Sequence, residues 1–364
     1  MKCFFLCLLF WSGVQGNCKE GNLPARDSAL LQKPKLNVFP GIFYSPDTRW
    51  GFGGAGILTF SFNKDSIGAR RSSFTFGFAF TQLKQTLVFV PFQLFPQNQK
   101  YWIYGELGYY KYVFNFFGTG NNYPDDFHEK FDAHFPRIRL NALRKVTRGL
   151  YLGGRFVYDD FEIIYREGNP VFNSGVVPGS AGGRVSGFGT LLNFDSRDHQ
   201  FLPSRGIVLE GMVYAENEYT GSHFNYQRYS LDVSTYFPIY KDQVLALNMA
   251  WISTPGNTPF HQMPGLGGTR RLRGYFEGKY RDKNLALVQA EYRLPVIWRI
   301  GMVAFTGSGV VAETVSKLSL GNVHFNYGAG LRLLTDPKEK INLRFDAGFG
   351  KNSKGFYLTI GEAF

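Results

Sequence analysis

Three groupings of residues have the types and spacing of chemical sites, and each demands a particular local structure. Gly51, Gly53 and Gly56 have the glycine spacing of a phosphate cradle, which works only where a strand runs into a helix whose first amides meet the pyrophosphate. The next residues, Ile57-Leu-Thr-Phe-Ser-Phe62, alternate and are β-prone, so the helix is missing and the nucleotide reading fails. His128 and His134 flank Asp125, Asp126, Glu129 and Asp132, acids that could hold an external cation loosely. The six histidines show no metal-ligand spacing, and a solvated acidic loop is the simpler reading. Asp195, Asp198 and His199 could be assembled into acid–base chemistry. They sit, however, in Phe194-Asp-Ser-Arg-Asp-His-Gln-Phe-Leu-Pro-Ser-Arg-Gly206, where Asp195, Arg197, Asp198 and Gly206 are better explained as a structural turn. No Gly-x-Ser-x-Gly elbow occurs. The expectation is a protein that is not an enzyme and holds no metal or cofactor.

The elements that would carry any site are strands. Tyr229, Leu231, Val233, Thr235 and Phe237 alternate with Arg228, Ser230, Asp232 and Ser234, giving one greasy and one wet face. Ile341, Leu343, Phe345, Ala347 and Phe349 likewise oppose Asn342, Arg344 and Asp346, and Ala286, Val288, Ala290, Tyr292 and Leu294 oppose Gln289, Glu291 and Arg293. These segments run to about ten residues, the length a tilted strand needs to cross a bilayer, where a soluble sandwich averages about five or six. No stretch after the first sixteen residues approaches the ~18 apolar residues of a spanning helix. Glycine (43 residues) and aromatics (17%) are both abundant, which suits the coiled strands and lipid-facing girdles of a barrel.

Segments of this type begin near Leu36, Trp50, Ser72, Gln85, Tyr101, Pro136, Leu150, Arg184, Gly206, Asn225, Gln243, Asn284, Arg299, His324, Lys340 and Gly355. The even total predicts an all-β fold, a transmembrane antiparallel barrel of about sixteen strands. Connections alternate between tight turns, such as Val146 to Gly149 and Val296 to Trp298, and long ones, such as Gly118 to Phe135 and Ser253 to Lys283. Outer-membrane barrels carry short turns at the periplasmic rim and long loops outside.

Lys2, the apolar Cys3 to Trp11 and Val14-Gln15-Gly16 read as an export signal over 1–16, followed by a short periplasmic segment (17–35) and a barrel over 36–364. Cys3 and Cys7 fall within the signal, so Cys18 alone remains, as a free thiol or a lipidated residue. The net charge of +12 is spread along the chain without a basic block, so nucleic acid is excluded as a partner and membrane lipid is expected. These features together predict localisation in the outer membrane of a Gram-negative bacterium, with the N-terminus periplasmic.

Two strings carry a resemblance. The Phe194 to Gly206 turn and Pro264-Gly-Leu-Gly-Gly-Thr-Arg-Arg-Leu-Arg-Gly-Tyr275, followed by Ala290-Glu-Tyr-Arg-Leu-Pro295, are similar to signatures of the BamA/TamA-type outer-membrane barrels. The resemblance implies sixteen strands, a weak lateral seam between the first and last, and an external loop folded into the lumen. In the family this loop is held by an Arg-Gly-aromatic triplet paired with inward acids. Here Arg273, Gly274 and Tyr275 match the triplet and Glu291 the first acid, while Thr306 occupies the place of the second, which leaves Arg273 with one carboxylate. Phe356, Leu358, Ile360 and Phe364 share one face and resemble the family's C-terminal strand signal. The family's periplasmic docking repeats, about seventy-five residues each, have no room between Asn17 and Leu36, so a separate periplasmic or outer-membrane partner protein is implied. The expected function is outer-membrane protein or lipid assembly or translocation. The alternative is a passive diffusion pore with a basic lumen, which has no need of an inward-folded loop.

Overall fold

A computed structural model describes residues 34–45, 48–62, 71–121, 123–124, 127–164, 168, 170–337 and 340–364. The expected export signal and the expected periplasmic segment up to residue 33, with Cys18, lie outside the described residues, as do Asp125 and Asp126. Sixteen antiparallel strands close into one barrel. In chain order they are β1 (Lys35–Ser45), β2 (Arg49–Phe60), β3 (Ser72–Thr81), β4 (Thr86–Leu94), β5 (Tyr101–Phe116), β6 (Glu129–Thr147), β7 (Leu150–Ile164), β8 (Gly183–Asp195), β9 (Gly206–Glu216), β10 (Tyr226–Pro238), β11 (Val244–Ser253), β14 (Asn284–Ile297), β15 (Ile300–Ala312), β16 (His324–Asp336), β17 (Ile341–Gly350) and β18 (Ser353–Ile360). Between β11 and β14 a two-stranded hairpin, β12 (Gly265–Leu266) and β13 (Tyr280–Arg281), belongs to the long connection over 254–283.

Period two decides what each face meets. On β3, Phe76, Phe78 and Phe80 are about half exposed on the outside while Gly77, Ala79 and Thr81 are buried inside. Leu107, Leu140, Phe188, Val213, Met249, Val288, Leu331 and Phe356 continue the exposed apolar surface around the wall. Such a continuous surface would be costly in water and is stable against hydrocarbon, where closure of the ladder also leaves no backbone group unpaired along the paired strands. Among the described residues no helix is long and apolar enough to cross a membrane.

One expected start is displaced. β6 begins at Glu129 and not near Pro136, because Phe131, Ala133 and Phe135 point inward while Lys130, Asp132 and His134 point outward. The alternation is intact but its polarity is reversed, as it must be where a strand rises past the lipid into water.

The seam is the weakest join. β1 meets β2 along its whole length, from Lys35 with Thr59 to Ser45 with Arg49, whereas among the described residues β1 meets β18 at a single register position, Tyr44 with Leu358. Lys35 to Phe43 therefore has no register partner on the β18 side. Pro40 lacks an amide hydrogen for such pairing, and β18 stops at Ile360.

Candidate functional site

The connection over 254–283 folds into the lumen and is fixed to the wall at two places. At the first, the Arg273 guanidinium lies between two carboxylates. Its Nη2 is 2.6 Å from Glu291 Oε2 on β14 and its Nη1 is 2.6 Å from Asp346 Oδ2 on β17. Phe305 on β15 presents its ring face 3.5 Å from the guanidinium carbon. A planar fork with two carboxylates at its ends and an aromatic face against its plane uses every recognition property of arginine, and lysine would satisfy only one of them. Arg273 is 1% exposed and both carboxylates are buried, so the charges are shielded from competing water.

The rest of the triplet fits the wall by shape. Gly274 has φ +116°, and a Cβ there would lie 2.7 Å from the Phe349 amide nitrogen. Facing it, a Cβ on Gly348 would lie 2.6 Å from the Arg273 carbonyl group. Glycine on both sides lets two backbones touch. The Gly274 amide donates to Tyr357 Oη on β18 (2.9 Å), and Ser353 Oγ donates to the Gly274 carbonyl (2.7 Å). Tyr275 Oη donates to the Phe325 carbonyl (2.9 Å) and accepts from the Lys351 amide (2.8 Å). The triplet thus touches five successive strands, β14 to β18, the last of which forms the seam.

Glu291 and Asp346 serve more than one cation. Arg293 reaches Glu291 at 2.9 Å, Arg332 reaches Asp346 at 2.6 Å and Glu362 at 2.8 Å, and Arg344 lies 3.3 Å from Asp346. Thr306, expected in the second acid's place, lies on the outward face of β15, and its hydroxyl donates to the Asn326 carbonyl. Odd-numbered residues of β15 face the lumen, so the position inside is Phe305, and the second carboxylate comes from Asp346 two strands further round. The single-carboxylate expectation is corrected accordingly.

At the second place the loop presents Phe260-His261-Gln262 to β5, β6 and β7. Phe260 packs edge-on against Phe116, Phe131 and Phe172 at centroid distances of 5.5, 5.2 and 5.2 Å. His261 stacks on Phe161 at 4.0 Å, and burial pushes its imidazole down to about 3, so the ring is neutral. Gln262 donates to Asp159 (3.2 Å), which Arg137 and Arg139 also bind, and Arg228 donates to the Gln262 carbonyl (2.9 Å). The loop over 165–182 joins this anchor: Glu129 accepts from the Val171 and Phe172 amides.

The remaining singled-out residues fall into place separately. In the Asp195 to Gly206 turn, Arg197 pairs with Asp195 (2.9 Å), and Asp198 accepts from the His199, Ser204 and Arg205 amides and the Ser204 hydroxyl. Those bonds outweigh the partial burial that opposes them and hold the Asp198 carboxyl below its ordinary range. Gly206, at φ +105°, closes the turn. His199 accepts through Nδ1 from the Phe201 amide within it (3.3 Å). On β18 Phe356 is exposed and Leu358 half-buried, but the strand ends at Ile360, which packs against a buried cluster that includes Phe43. Gly361, at φ +78°, then turns the chain inward. Phe364 does not share the outer face. It packs on Tyr236, Val244 and Ala246, and its carbonyl accepts from Arg293. No cluster of three metal-ligating side chains exists among the described residues.

A closed sixteen-stranded barrel, apolar outside and carrying a locked loop inside, defines a membrane-type β-barrel as a class of fold. Residues 184–364, from β8 to the end of β18 and its inward turn, match the Omp85 superfamily domain, so this part of the chain carries that superfamily's barrel domain. Among solved structures it is similar to BamA from Haemophilus ducreyi lacking POTRA domains 1–3 (14% identity, 91% of this chain and 70% of that one, TM-score 0.60). It is also similar to CdiB from Escherichia coli (12%, 89% and 62%, 0.62) and CdiB from Acinetobacter baumannii (16%, 91% and 60%, 0.55). The chain spans about three fifths of the length of each CdiB chain. At these identities the likeness is one of fold. No curated protein sequence matches the chain.

Proposed function

We propose that this barrel assembles proteins into, or moves them across, the outer membrane through its seam, with a separate protein in the periplasm or outer membrane delivering the client. The observation that carries the reading is that, among the described residues, β1 pairs with β18 only at Tyr44 and Leu358. An edge strand with free amides and carbonyls in a bilayer is a template for another strand, and it is costly unless something pairs with it. The locked loop supports the same reading, because a lumen crossed by 254–283 is poorly suited to steady diffusion of solutes. Cysteines at Tyr44 and Leu358 test it. Oxidation should close the seam, reduce other barrels in the outer membrane or secreted proteins in the medium, and be reversed by a thiol reductant. Unchanged protein profiles with a fully crosslinked seam, or a large steady conductance in planar bilayers, would assign the barrel to passive diffusion.

A further inference from the structure

The strand on the far side of the seam is fastened to the lumen loop, while among the described residues it meets β1 at one register position. From β18, Tyr357 Oη accepts from the Gly274 amide (2.9 Å) and donates to the Tyr275 carbonyl (3.2 Å), and Ser353 Oγ donates to the Gly274 carbonyl (2.7 Å). After Ile360 the chain leaves the wall. The Gly361 amide donates to the Asn342 carbonyl (2.8 Å), and Glu362 accepts from the Asn342 side chain (2.7 Å) and pairs with Arg332 (2.8 Å). Arg270 of the loop donates to the carbonyl of the fully buried Ala363 (3.0 Å), and Arg293 to that of Phe364 (2.9 Å). The register that joins Tyr44 to Leu358 shows what this inward turn forgoes. Continued without the turn, antiparallel pairing would set Ile42 beside Ile360, Gly41 beside Gly361, Pro40 beside Glu362 and Val38 beside Phe364. Period two would then return Phe364 to the outer face with Phe356, Leu358 and Ile360, next to Val38, which is 71% exposed. Residues 361–364 thus have two places that satisfy them, the lumen arginines and the β1 edge, and cannot occupy both.

We infer that the loop over 254–283 selects between these two places. Locked, it keeps residues 361–364 in the lumen and the seam open; released, it lets them pair with Val38 to Ile42 and zip the seam. Each place satisfies the segment with different partners, so whatever holds one of them biases the choice. The loop holds the lumen place directly through Arg270 and holds the preceding strand through Gly274 and Tyr275. The inference rests on the seam as the working part of the barrel and adds what controls it. If residues 361–364 are instead a permanent part of the lumen packing, the loop makes no difference to the seam.

Disulfide formation between Val38→Cys and Phe364→Cys, in the full chain with its native cysteines replaced and in outer membranes, reads the zipped place. Tyr44→Cys with Leu358→Cys reads the pairing common to both. Yields are taken on the folded, heat-modifiable fraction. Arg270→Gln combined with Arg273→Ala should raise the first yield about fivefold or more and leave the second unchanged. Arg270→Gln alone, which leaves the carboxylates of the lock with their partners, should give a smaller rise. Phe260→Ala, at the aromatic anchor against β5 to β7, should leave the first yield as it was. An unchanged or lower yield between positions 38 and 364 in both arginine variants overturns the inference. So does an equal rise with Phe260→Ala, which would mark a general loosening of the barrel. Either result leaves standing the passage of proteins through the seam, which is read separately from protein profiles with the Tyr44 and Leu358 cysteines.

Discussion

The two walls that hold the lumen loop follow the same period-two rule with opposite polarity. Along β14, β16 and β17 the inward residues around the lock are Gln289, Glu291, Arg293, Arg332, Arg344 and Asp346, while Val288, Leu331 and Phe345 face outward. In the upper parts of β5 to β7 the inward residues are Tyr112, Phe116, Phe131, Phe135 and Phe161, and the outward side carries Lys111, His134 and Glu162. The first wall stands in lipid, so polarity collects in the lumen. The second has risen past the lipid, so polarity faces water and the loop is packed as a core. Polarity of the alternation therefore reports depth, and the loop is held at mid-wall by charge and higher up by aromatic packing.

This difference predicts different responses to mutation. Arg273→Ala should have the largest effect, on the order of 3–5 kcal/mol, because it leaves buried carboxylates short of a partner. Loop protection from protease should fall, and Arg273→Ala combined with Glu291→Ala should cost little beyond either alone. Phe260→Ala should cost about 3 kcal/mol by leaving a void in the aromatic anchor. Its effect should add to that of Arg273→Ala, since the anchors share no side chain, and marked non-additivity would show that they act as one unit. Thr306→Asp should cost roughly 1–2 kcal/mol by placing a carboxylate on the lipid face, with no tightening of the loop. Tyr357→Phe should have the smallest effect, about 1 kcal/mol, through the lost bonds to the Gly274 amide and Tyr275 carbonyl. Thermal melting of the reconstituted barrel measures all four.

The strand count and the alternation were legible because they depend on spacing within one segment, whereas the Arg273–Glu291 pairing was implied by the family resemblance, the alternation adding only that Glu291 lies on the wet face of its strand. Asp346 was legible in part: the alternation puts it on the wet face of its strand, but its approach to Arg273 depends on register across two further strands. Thr306 was misplaced for the same reason, since a one-residue shift along a strand moves a side chain to the other face. The β6 start was obscured because reversed polarity looks like a polar loop with scattered phenylalanines. Phe260, His261 and Gln262 gave no local signal, since most of their partners, Phe116, Phe131, Asp159 and Phe161, lie on strands about a hundred residues or more earlier in the chain. The inward turn after Ile360 is signalled only by Gly361.

The central claim, that the Arg273 lock keeps the loop inside the barrel, is tested most directly at Leu266. This residue is fully buried in the loop hairpin against Gly309 and Leu272. Leu266→Cys, in a chain whose native cysteines are replaced, should resist a membrane-impermeant thiol reagent in outer membranes. Addition of Arg273→Ala should make the same cysteine react at least tenfold faster. Equal labelling rates in the two backgrounds would contradict the lock and leave the loop held by aromatic packing alone.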